Sequence, residues 1–233
     1  MKTALVTGAS GGIGRATVEA LLSRGHRVLA VSRQARALTA LGDGVVPVEA
    51  ELSTEDGRAR IAAAVSGPLD VLVHVAGVNP REPLASMRED TLRTCFEVNF
   101  FAPILLTQAL APKLAAGGAV IFVTSTLSQR AAPGTLPYAA SKAAVEGAMR
   151  VLSLELGERG VRALAIAPGL IDTAMMREGR NEQDVAALAA LSPLGRVGDA
   201  AEVASLVVAA AENRFLSGAV LTIDGAMTAG FPR

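Results

Sequence analysis

Residues 3–14 read Thr-Ala-Leu-Val-Thr-Gly-Ala-Ser-Gly-Gly-Ile-Gly, an apolar run that leads into a glycine-rich loop. Glycines allow a tight turn and a close approach of the backbone to a pyrophosphate, while the first turn of a following helix offers unpaired N–H groups and a partial positive charge. Because the loop lies between a predicted strand and a predicted helix, it predicts a dinucleotide site. The residues expected to contact the dinucleotide here are Gly8, Ser10, Gly12, Ile13 and Gly14.

The same loop also fits a second motif. Residues 8–12 match the Gly-x-Ser-x-Gly nucleophile elbow of hydrolases, in which a serine between a strand and a helix is activated by a histidine. The only histidines are His26 and His74, and no acidic residue is placed to orient either of them. An elbow after the first strand would also leave nothing upstream to form an oxyanion hole. The dinucleotide interpretation is therefore favoured.

Short apolar runs rich in valine, isoleucine and leucine alternate with helical stretches along the whole chain. The runs occupy residues 3–6, 27–31, 45–48, 69–75, 119–123, 161–167 and 219–223, and the helical stretches lie near 12–24, 54–65, 88–115, 137–157 and 199–211. Continuous apolarity indicates strands that are buried on both faces, as in a parallel sheet covered by helices. The pattern predicts one α/β domain, 1–233, with a doubly wound parallel sheet of about seven strands and helices on both faces. Segment 172–196 has no following strand and is interpreted as a substrate lid, with ordinary packing helices as the alternative.

Composition excludes several classes of protein. Of 233 residues, 51% are hydrophobic and 19% are charged, which is enough apolar material for a large core. Lys plus Arg and Asp plus Glu each number 22, so the charge pattern expected of a nucleic-acid or anionic-membrane binder is missing. One cysteine and two histidines predict no metal site. The charge-free stretches 98–112 and 114–129 are too short and too interrupted to span a membrane, and the first strand begins at residue 3, so we expect no signal peptide and a cytoplasmic protein.

The residues after the second predicted strand favour one nicotinamide cofactor over the other. An Asp or Glu there would accept hydrogen bonds from the ribose hydroxyls of NAD, whereas the 2′-phosphate of NADP needs a cation. The chain has Ser32 and Arg33 at this place, with Arg36 one turn later. A guanidinium suits a forked contact with phosphate. The sequence therefore predicts NADP(H) in preference to NAD(H).

Tyr138 and Lys142 lie four residues apart in Tyr-Ala-Ala-Ser-Lys, so they share one face of a helix. Bringing a phenol from its usual pKa near 10 to about 7 requires about 4 kcal/mol, which a unit charge about 4 Å away supplies at an effective dielectric constant near 20. We therefore expect Lys142 to make this phenol a proton donor and acceptor at neutral pH. Ser125, after the fifth predicted strand, offers a hydroxyl that could hold a substrate carbonyl.

Residues far apart in the chain should meet at one edge of the sheet. The first six predicted strands are followed, in turn, by Ser10, Arg33, Glu51, Gly77, Ser125 and Pro168. Open α/β sheets bind their ligands at the carboxyl ends of the strands. Hydride transfer needs such convergence, because the protein must hold the nicotinamide against the carbonyl carbon and supply the proton.

Over essentially its whole length the chain resembles the short-chain dehydrogenase/reductase family. The matching stretches are Thr-Gly-x-x-x-Gly-Ile-Gly at 7–14, Ser125, Tyr-x-x-x-Lys at 138–142, Pro168-Gly169 with Thr173, and Ser217-Gly218 with Asp224-Gly225. The resemblance implies a Rossmann-type sheet in which Tyr138 is the general acid/base and Lys142 lowers its pKa and holds the nicotinamide ribose. It also implies that Ser125 positions the carbonyl and that Asn99 anchors a proton-relay water.

The resemblance also implies a wider set of cofactor contacts, with two departures from the family pattern. Besides the glycine loop and the catalytic Tyr138 and Lys142, the implied contacts are Ser32, Arg33, Glu51, Leu52, Ala76, Gly77, Pro168, Gly169, Ile171 and Thr173. The usual Asn-Asn-Ala-Gly after the fourth strand is His74-Val75-Ala76-Gly77, where we expect His74 to be a hydrogen-bonded structural residue. The usual Asp facing adenine is Glu51.

We expect an NADP(H)-dependent oxidoreductase that interconverts a ketone and a secondary alcohol. Within the family the chain resembles 3-oxoacyl-[acyl-carrier-protein] reductases, but of the two basic positions at which those enzymes dock the carrier, Arg159 fills one and Ala116 occupies the other. A sugar, polyol or small ketone is the alternative substrate, and a non-catalytic NADP-binding regulator is the alternative from another class. The resemblance further implies a homo-oligomer, tetramer or dimer.

Overall fold

A computed structural model describes residues 1–230; residues 231–233, which the expected domain 1–233 includes, lie outside the described residues. A seven-stranded sheet runs through this part of the chain. Its strands are β1 (Thr3–Thr7), β2 (Arg27–Ser32), β3 (Val45–Glu49), β4 (Leu69–His74), β5 (Leu114–Val123), β6 (Arg162–Pro168) and β7 (Val220–Ile223). All pairs are parallel, and the order is β3-β2-β1-β4-β5-β6-β7. The predicted doubly wound, Rossmann-type sheet is confirmed.

Eight α-helices connect the strands of the described residues. They are α1 (Gly12–Ser23), α2 (Glu55–Ala64), α3 (Glu89–Phe96), α4 (Ala102–Leu110), α5 (Leu136–Glu155), α6 (Ala174–Arg177), α7 (Glu182–Ala189) and α8 (Ala200–Glu212). Several begin at a polar side chain that caps free backbone N–H groups: Thr54 caps α2, and Asn181 and Asp199 form capping boxes at α7 and α8.

The core lies in two layers, one on each face of the sheet. Along β1, Ala4 and Val6 belong to the layer that packs against α1 and α8, whereas Leu5 belongs to the opposite layer with Leu106 of α4 and Met149 of α5. All five side chains are fully buried. Successive residues of a strand therefore serve different layers, which explains the continuous rather than alternating apolar runs.

The predicted helix 88–115 is wrong in two respects. It is divided into α3 and α4 by a π-helical segment, Glu97–Phe101, and β5 begins at Leu114 rather than at 119. The sequence Leu-Ala-Ala-Gly-Gly at 114–118 suits a helix end as well as a strand, but Leu114 pairs with Leu69 of β4 before the register shifts. Tertiary pairing thus overrides local propensity here.

The helical stretch Glu89–Lys113 is long and apolar enough to pass a composition test for a membrane span, with a mean hydropathy of 1.3 over its best window. In the fold, however, Cys95, Leu106 and Leu110 of this stretch are fully buried in the protein. A core helix passes the same test, so the composition is accounted for by its place beside α2 and α5.

The strand order reverses between β1 and β4, which lie side by side although β2 and β3 separate them in the sequence. At such a switch point the connections leave to opposite faces, and a crevice opens at the carboxyl ends of the strands. The glycine loop follows β1, and Ala76 and Gly77 follow β4. The predicted site residues are thus brought to one edge of the sheet.

Candidate active site

The glycine loop is folded tightly against the end of β4. Gly8 has a φ of +67°, and a Cβ built on it would lie 2.7 Å from the backbone N of Ala76. A Cβ on Gly14 would lie 2.1 Å from the carbonyl oxygen of Gly8. The hydroxyl of Thr7 accepts hydrogen bonds from the N–H groups of Val75 and Ala76, at 3.1 and 3.3 Å. Positions 8 and 14 therefore require glycine, because a side chain at either would clash with the closely packed backbone.

The first turn of α1 fits an anionic ligand. Its N-cap residue is Gly11, no side chain caps its free N–H groups, and its first turn contains no acidic residue. Several other helices, such as α2, α7 and α8, begin with a side-chain cap. Thr173 packs beside this turn, since a Cβ on Gly12 would lie 2.8 Å from its Cγ2 atom. An uncapped helix N-terminus beside a glycine loop is a typical pyrophosphate site, so the residues present fit a dinucleotide.

Two hydroxyl groups meet beside the end of β2. Ser32 Oγ donates to Ser10 Oγ at 2.8 Å and accepts from the backbone N–H of Gln34 at 3.2 Å. Arg33 follows directly and is exposed. No acidic residue stands in this position of the chain, so the polar side chains at the end of β2 are two hydroxyls and a guanidinium.

Glu51 is turned back on its own loop. Its Oε1 atom accepts hydrogen bonds from Ser53 Oγ at 2.9 Å and from the Ser53 N–H at 3.2 Å. The next residue, Leu52, is buried and belongs to the core layer of Leu5. Within this arrangement, Oε2 is the carboxylate oxygen left for a contact with an adenine amine.

Ser125, Tyr138 and Lys142 form a buried group at the end of β5. The exposed fractions of these residues are 8%, 9% and 5%. The Ser125 hydroxyl accepts a hydrogen bond from the N–H of Leu127 at 3.2 Å, and it is near enough to the Tyr138 phenol to lower the pKa of that group. Lys142 Nζ donates to the carbonyl oxygen of Val123 at 2.8 Å and lies 5.7 Å from the centre of the Tyr138 ring.

The expectation that Lys142 brings the Tyr138 pKa to about 7 is wrong for this structure. Burial raises the pKa of Tyr138 to about 12, although the nearby Ser125 hydroxyl acts in the opposite direction. Burial also lowers the pKa of Lys142 to about 8. Both groups are removed from water in the folded protein, which favours their neutral forms and outweighs the effect of a charge beside the phenol.

Asn99 lies in the π-helical segment and is 2% exposed. Its side chain exchanges two hydrogen bonds with the backbone of Val78, both at 2.9 Å, and donates to Ser141 Oγ at 3.0 Å. Ser141 Oγ in turn donates to the carbonyl oxygen of Tyr138 at 2.8 Å. A Cβ on Gly77 would lie 3.1 Å from Asn99 Oδ1 and 3.5 Å from Lys142 Nζ. The end of β4, the π-helical segment and α5 are therefore in direct contact.

The residues after β6 close the other side of the crevice. Gly169 donates its N–H to Ile223, and a Cβ on Gly169 would lie 2.6 Å from Asp224 Cβ. Ile171 is buried and pairs with Gly198 in an isolated parallel bridge. Thr173 caps α6 by accepting the N–H of Met176. Pro168, which was predicted to follow β6, is its last residue.

The family model of the short chain dehydrogenases matches residues 2–184 of this chain. The chain belongs to the short-chain dehydrogenase family. Three curated relatives are similar over nearly their full length. Carbonyl reductase family member 4 of Danio rerio is 31% identical, and the match covers 97% of this chain and 98% of the relative. The 3-oxoacyl-[acyl-carrier-protein] reductase FabG of Salmonella typhimurium is 33% identical over 97% of both chains, and L-xylulose reductase of Mus musculus is 33% identical over 98% of this chain and 97% of the relative. The protein is accordingly an NAD(P)-dependent oxidoreductase that acts on CH–OH groups.

The fold also agrees with solved structures. A structure described as ElxO with NADP bound superposes with a TM-score of 0.90 over 98% of this chain and 99% of that one, at 22% identity. At this level of identity the likeness concerns the fold. It adds to the assignment of the seven-stranded parallel sheet.

His74 departs from the family pattern and has a structural role. Its Nε2 atom lies 2.9 Å from Thr107 Oγ1, which itself donates to the carbonyl oxygen of Pro103 at 2.8 Å, so Nε2 carries the proton. The ring stacks on Phe122 at 4.9 Å. Burial, together with the positive charge of Lys142, lowers the pKa of His74 to about 3. The prediction of a hydrogen-bonded structural histidine is confirmed.

The hydrolase alternative finds no support in the geometry. His74 contacts Thr107, and His26 Nδ1 lies 3.2 Å from the carbonyl oxygen of Leu21, so neither histidine contacts Ser10. The Ser10 hydroxyl is instead paired with Ser32.

Several residues that build the site were not predicted as functional. Ser141 links Asn99 to the Tyr138 backbone, although it lies within the quoted Tyr-Ala-Ala-Ser-Lys. Glu146 is buried behind Ser125. The signal for Glu146 was present, since it continues the four-residue spacing of Tyr138 and Lys142 along one face of α5. The π-helical segment at Asn99 has no such signal in the sequence.

Proposed function

We propose that the protein is an NADP(H)-dependent reductase of the cytoplasm that interconverts a ketone and a secondary alcohol within a single domain. The observation that carries the proposal is the buried group of Ser125, Tyr138 and Lys142 at the end of β5, in which Lys142 Nζ lies 5.7 Å from the centre of the Tyr138 ring. The hydroxyl and the phenol can together bind one carbonyl oxygen, and the phenol can transfer a proton to it.

The proposed roles follow from these positions. Tyr138 donates the proton to the substrate oxygen, and its phenol is protonated at neutral pH. Ser125 holds the substrate oxygen, Lys142 holds the nicotinamide ribose, and Asn99 anchors a proton-relay water. Bound NADPH supplies the hydride that reduces the carbonyl carbon.

The preference for NADP(H) over NAD(H) is supported by the residues at the end of β2. The paired hydroxyls of Ser10 and Ser32 offer hydrogen bonds to a 2′-phosphate, and the exposed Arg33 offers its charge. A carboxylate in this position would favour free ribose hydroxyls instead. The solved structure named ElxO, similar in fold, is described with NADP bound.

Within this proposal the substrate is a 3-oxoacyl thioester, with a sugar, polyol or small ketone as the alternative. Relatives with either kind of name are 33% identical to the chain. The argument for an acyl carrier protein is weakened because Arg159 donates to the carbonyl oxygens of Ala111 and Leu114, and Ala116 carries no charge. A thioester of a smaller carrier avoids this difficulty.

We further propose that segment 172–196 is a substrate lid. It contains α6 and α7, and its large apolar side chains Met175, Leu191 and Leu194 are 43%, 57% and 65% exposed. The segment is tied down at its ends, where Asp172 donates its N–H to Gly198 and Ser192 donates to Gly225. Such a segment can close over an apolar substrate.

A homo-oligomer, tetramer or dimer, is supported by exposed apolar side chains on two neighbouring helices. Phe101 and Leu105, at and within α4, are 47% and 39% exposed, and Val151 and Leu154 of α5 are 54% and 75% exposed. Large apolar side chains that are exposed and form a patch are typical of an interface. Light scattering after size exclusion measures the mass directly.

The experiment that tests the proposed function is a substrate panel followed by NADPH consumption at 340 nm. The panel contains a 3-oxoacyl thioester of coenzyme A, a 3-oxoacyl carrier-protein thioester, a ketose and a small aliphatic ketone. We expect turnover of at least one ketone with NADPH and faster turnover than with NADH. NADPH binding without turnover of any of them would favour the non-catalytic regulator.

A further inference from the structure

A buried carboxylate contacts the segment that carries Ser125, the proposed catalytic serine. Glu146, in the middle of α5, is 4% exposed, and its Oε1 atom accepts hydrogen bonds from Thr124 Oγ1 at 3.0 Å and from Ser128 Oγ at 2.5 Å. Among the ion pairs of residues 1–230, none involves this carboxylate. Arg150 reaches only its backbone carbonyl oxygen, at 3.3 Å. A carboxylate in such a place is satisfied by hydroxyl groups rather than by a cation.

The two hydroxyls stand on either side of Ser125. Thr124 precedes it, and its backbone N–H is bound to the carbonyl oxygen of Ile166 in β6 at 2.7 Å. Ser128 closes the turn that follows, because its N–H donates to the carbonyl oxygen of Ser125 at 3.0 Å. The single proton of its hydroxyl lies between two acceptors, Glu146 Oε1 at 2.5 Å and the Ser125 carbonyl oxygen at 2.6 Å. Glu146 therefore fixes both ends of the segment that carries Ser125.

The same face of α5 makes a second contact with the end of β5. Tyr138, Lys142 and Glu146 are spaced four residues apart and lie one above another on the helix. Lys142 is bound to the carbonyl oxygen of Val123, and Glu146 is bound to Thr124 and Ser128. These contacts, one turn apart, set the register between the helix that carries the phenol and the loop that carries the serine hydroxyl.

Burying this carboxylate is costly, and an apolar side chain would serve the core at least as well. Replacing a buried charged group by well-packed apolar residues is often neutral or stabilising. Glu146 is therefore poorly explained by stability alone. We propose that Glu146 is a positioning residue, whose carboxylate holds the Thr124–Ser128 segment so that the Ser125 hydroxyl meets the Tyr138 phenol and the substrate oxygen.

This inference rests on the proposed function for its kinetic consequence, but its structural consequence can be measured without turnover. Tyr138 is the only tyrosine and the chain has no tryptophan, so protein labelled with ¹³Cζ-tyrosine gives a single resonance that responds to the hydrogen bonding of this phenol. The variants are Glu146→Leu, which removes the acceptor, Glu146→Gln, which keeps an amide oxygen, and Ser128→Ala, which removes the link to Ser125. Glu155→Gln, an exposed change on the same helix, is the matched control.

We expect Glu146→Leu and Ser128→Ala to move the Tyr138 resonance in the same direction and to lower kcat about 10- to 100-fold, as small displacements of catalytic groups do. The KM for NADPH should stay within about twofold, because neither Glu146 nor Ser128 is among the residues expected to contact the cofactor. Glu146→Gln should recover most of kcat, and the double variant Ser128→Ala/Glu146→Leu should be no slower than the worse single variant, since both changes break one chain of contacts. Glu155→Gln should leave the resonance and kcat unchanged.

The inference would be overturned by an unmoved resonance and unchanged kcat in the folded Ser128→Ala variant. It would also be overturned if the double variant multiplied the two single losses, since the residues would then act independently. Ser128→Ala keeps the test open even where Glu146→Leu does not fold. A wild-type protein that reduces no ketone, but whose Tyr138 resonance still responds to Ser128→Ala, would refute the proposed function and leave the coupling between Glu146 and Tyr138 intact.

Discussion

Mild acid should destabilise the protein through His74. This histidine is 4% exposed, and burial with the positive charge of Lys142 lowers its pKa to about 3, against 6.5 in an unfolded chain. Between these two values the unfolded chain binds a proton that the folded protein does not bind. The stability contribution is therefore complete above pH 6.5 and is lost as the pH falls towards 3.

The magnitude follows from the two pKa values. At pH 5, proton binding by His74 stabilises the unfolded state by about 2 kcal/mol. This value follows because pH 5 lies roughly one and a half units below the pKa of the unfolded chain, and each unit is worth about 1.4 kcal/mol. The measurement is urea unfolding at pH 8 and at pH 5, followed by far-ultraviolet circular dichroism, for wild type and for His74→Asn. Asparagine cannot take up the proton.

We expect the wild type to lose about 2 kcal/mol more unfolding free energy than His74→Asn between pH 8 and pH 5. The variant is compared with itself at pH 8, so any loss of the Phe122 stacking or of the Thr107 hydrogen bond cancels. Equal pH dependence of the two proteins would refute the reasoning, because His74 would then be able to take up its proton in the folded state.

Three further outcomes follow from the site. Arg33→Ala should weaken NADPH binding by about 10- to 100-fold and change NADH binding by less than threefold, because the variant loses a charge-assisted contact with phosphate. Fluorescence titration with each reduced cofactor measures the two affinities. Equal weakening of both cofactors would argue against a contact with the 2′-phosphate. Gly14→Ala should abolish detectable NADPH binding or unfold the chain, because the added Cβ would lie 2.1 Å from the Gly8 carbonyl oxygen. Gly67→Ala is the control: an added Cβ there would have no neighbouring atom within 4 Å, so binding and thermal stability should stay unchanged. The rate of ketone reduction should fall as the pH rises past about 8, where Lys142 loses its charge, and a rate that stays flat to pH 10 would contradict the role given to Lys142.

The sheet could be predicted because each of its strands leaves a local signal. Continuous runs such as 27–31 and 69–75 match β2 and β4 to within one residue, since strands buried on both faces are apolar at every position. The long helix 88–115 could not be resolved, because the π-helical segment at Asn99 and the early start of β5 depend on contacts with distant residues. The order of the strands was not predicted, because the right-handed crossovers of parallel sheets fix the hand of each connection and not which strands become neighbours.

The sequence predicted which side chains lie close together at the ends of the strands, and it predicted the pKa of the phenol wrongly. Spacing alone was sufficient to bring Tyr138 and Lys142 to one helix face and to place Ser125 at the end of β5. The predicted pKa of the Tyr138 phenol was wrong because desolvation depends on how deeply the side chain is buried, and the sequence does not give the burial of individual residues. Glu146 was missed for a related reason, since a glutamate in a helix is ordinarily exposed.

The replacement of Tyr138 by phenylalanine tests the central claim most directly. The ring and its packing are retained, and only the hydroxyl that donates the proton is removed. With the best ketone of the panel, kcat should fall by about 10²- to 10⁴-fold, the range that a positioned general acid contributes, while the Kd for NADPH stays within about twofold. A variant that reduces the ketone within a few-fold of the wild-type rate, with cofactor binding intact, would mean that another group supplies the proton.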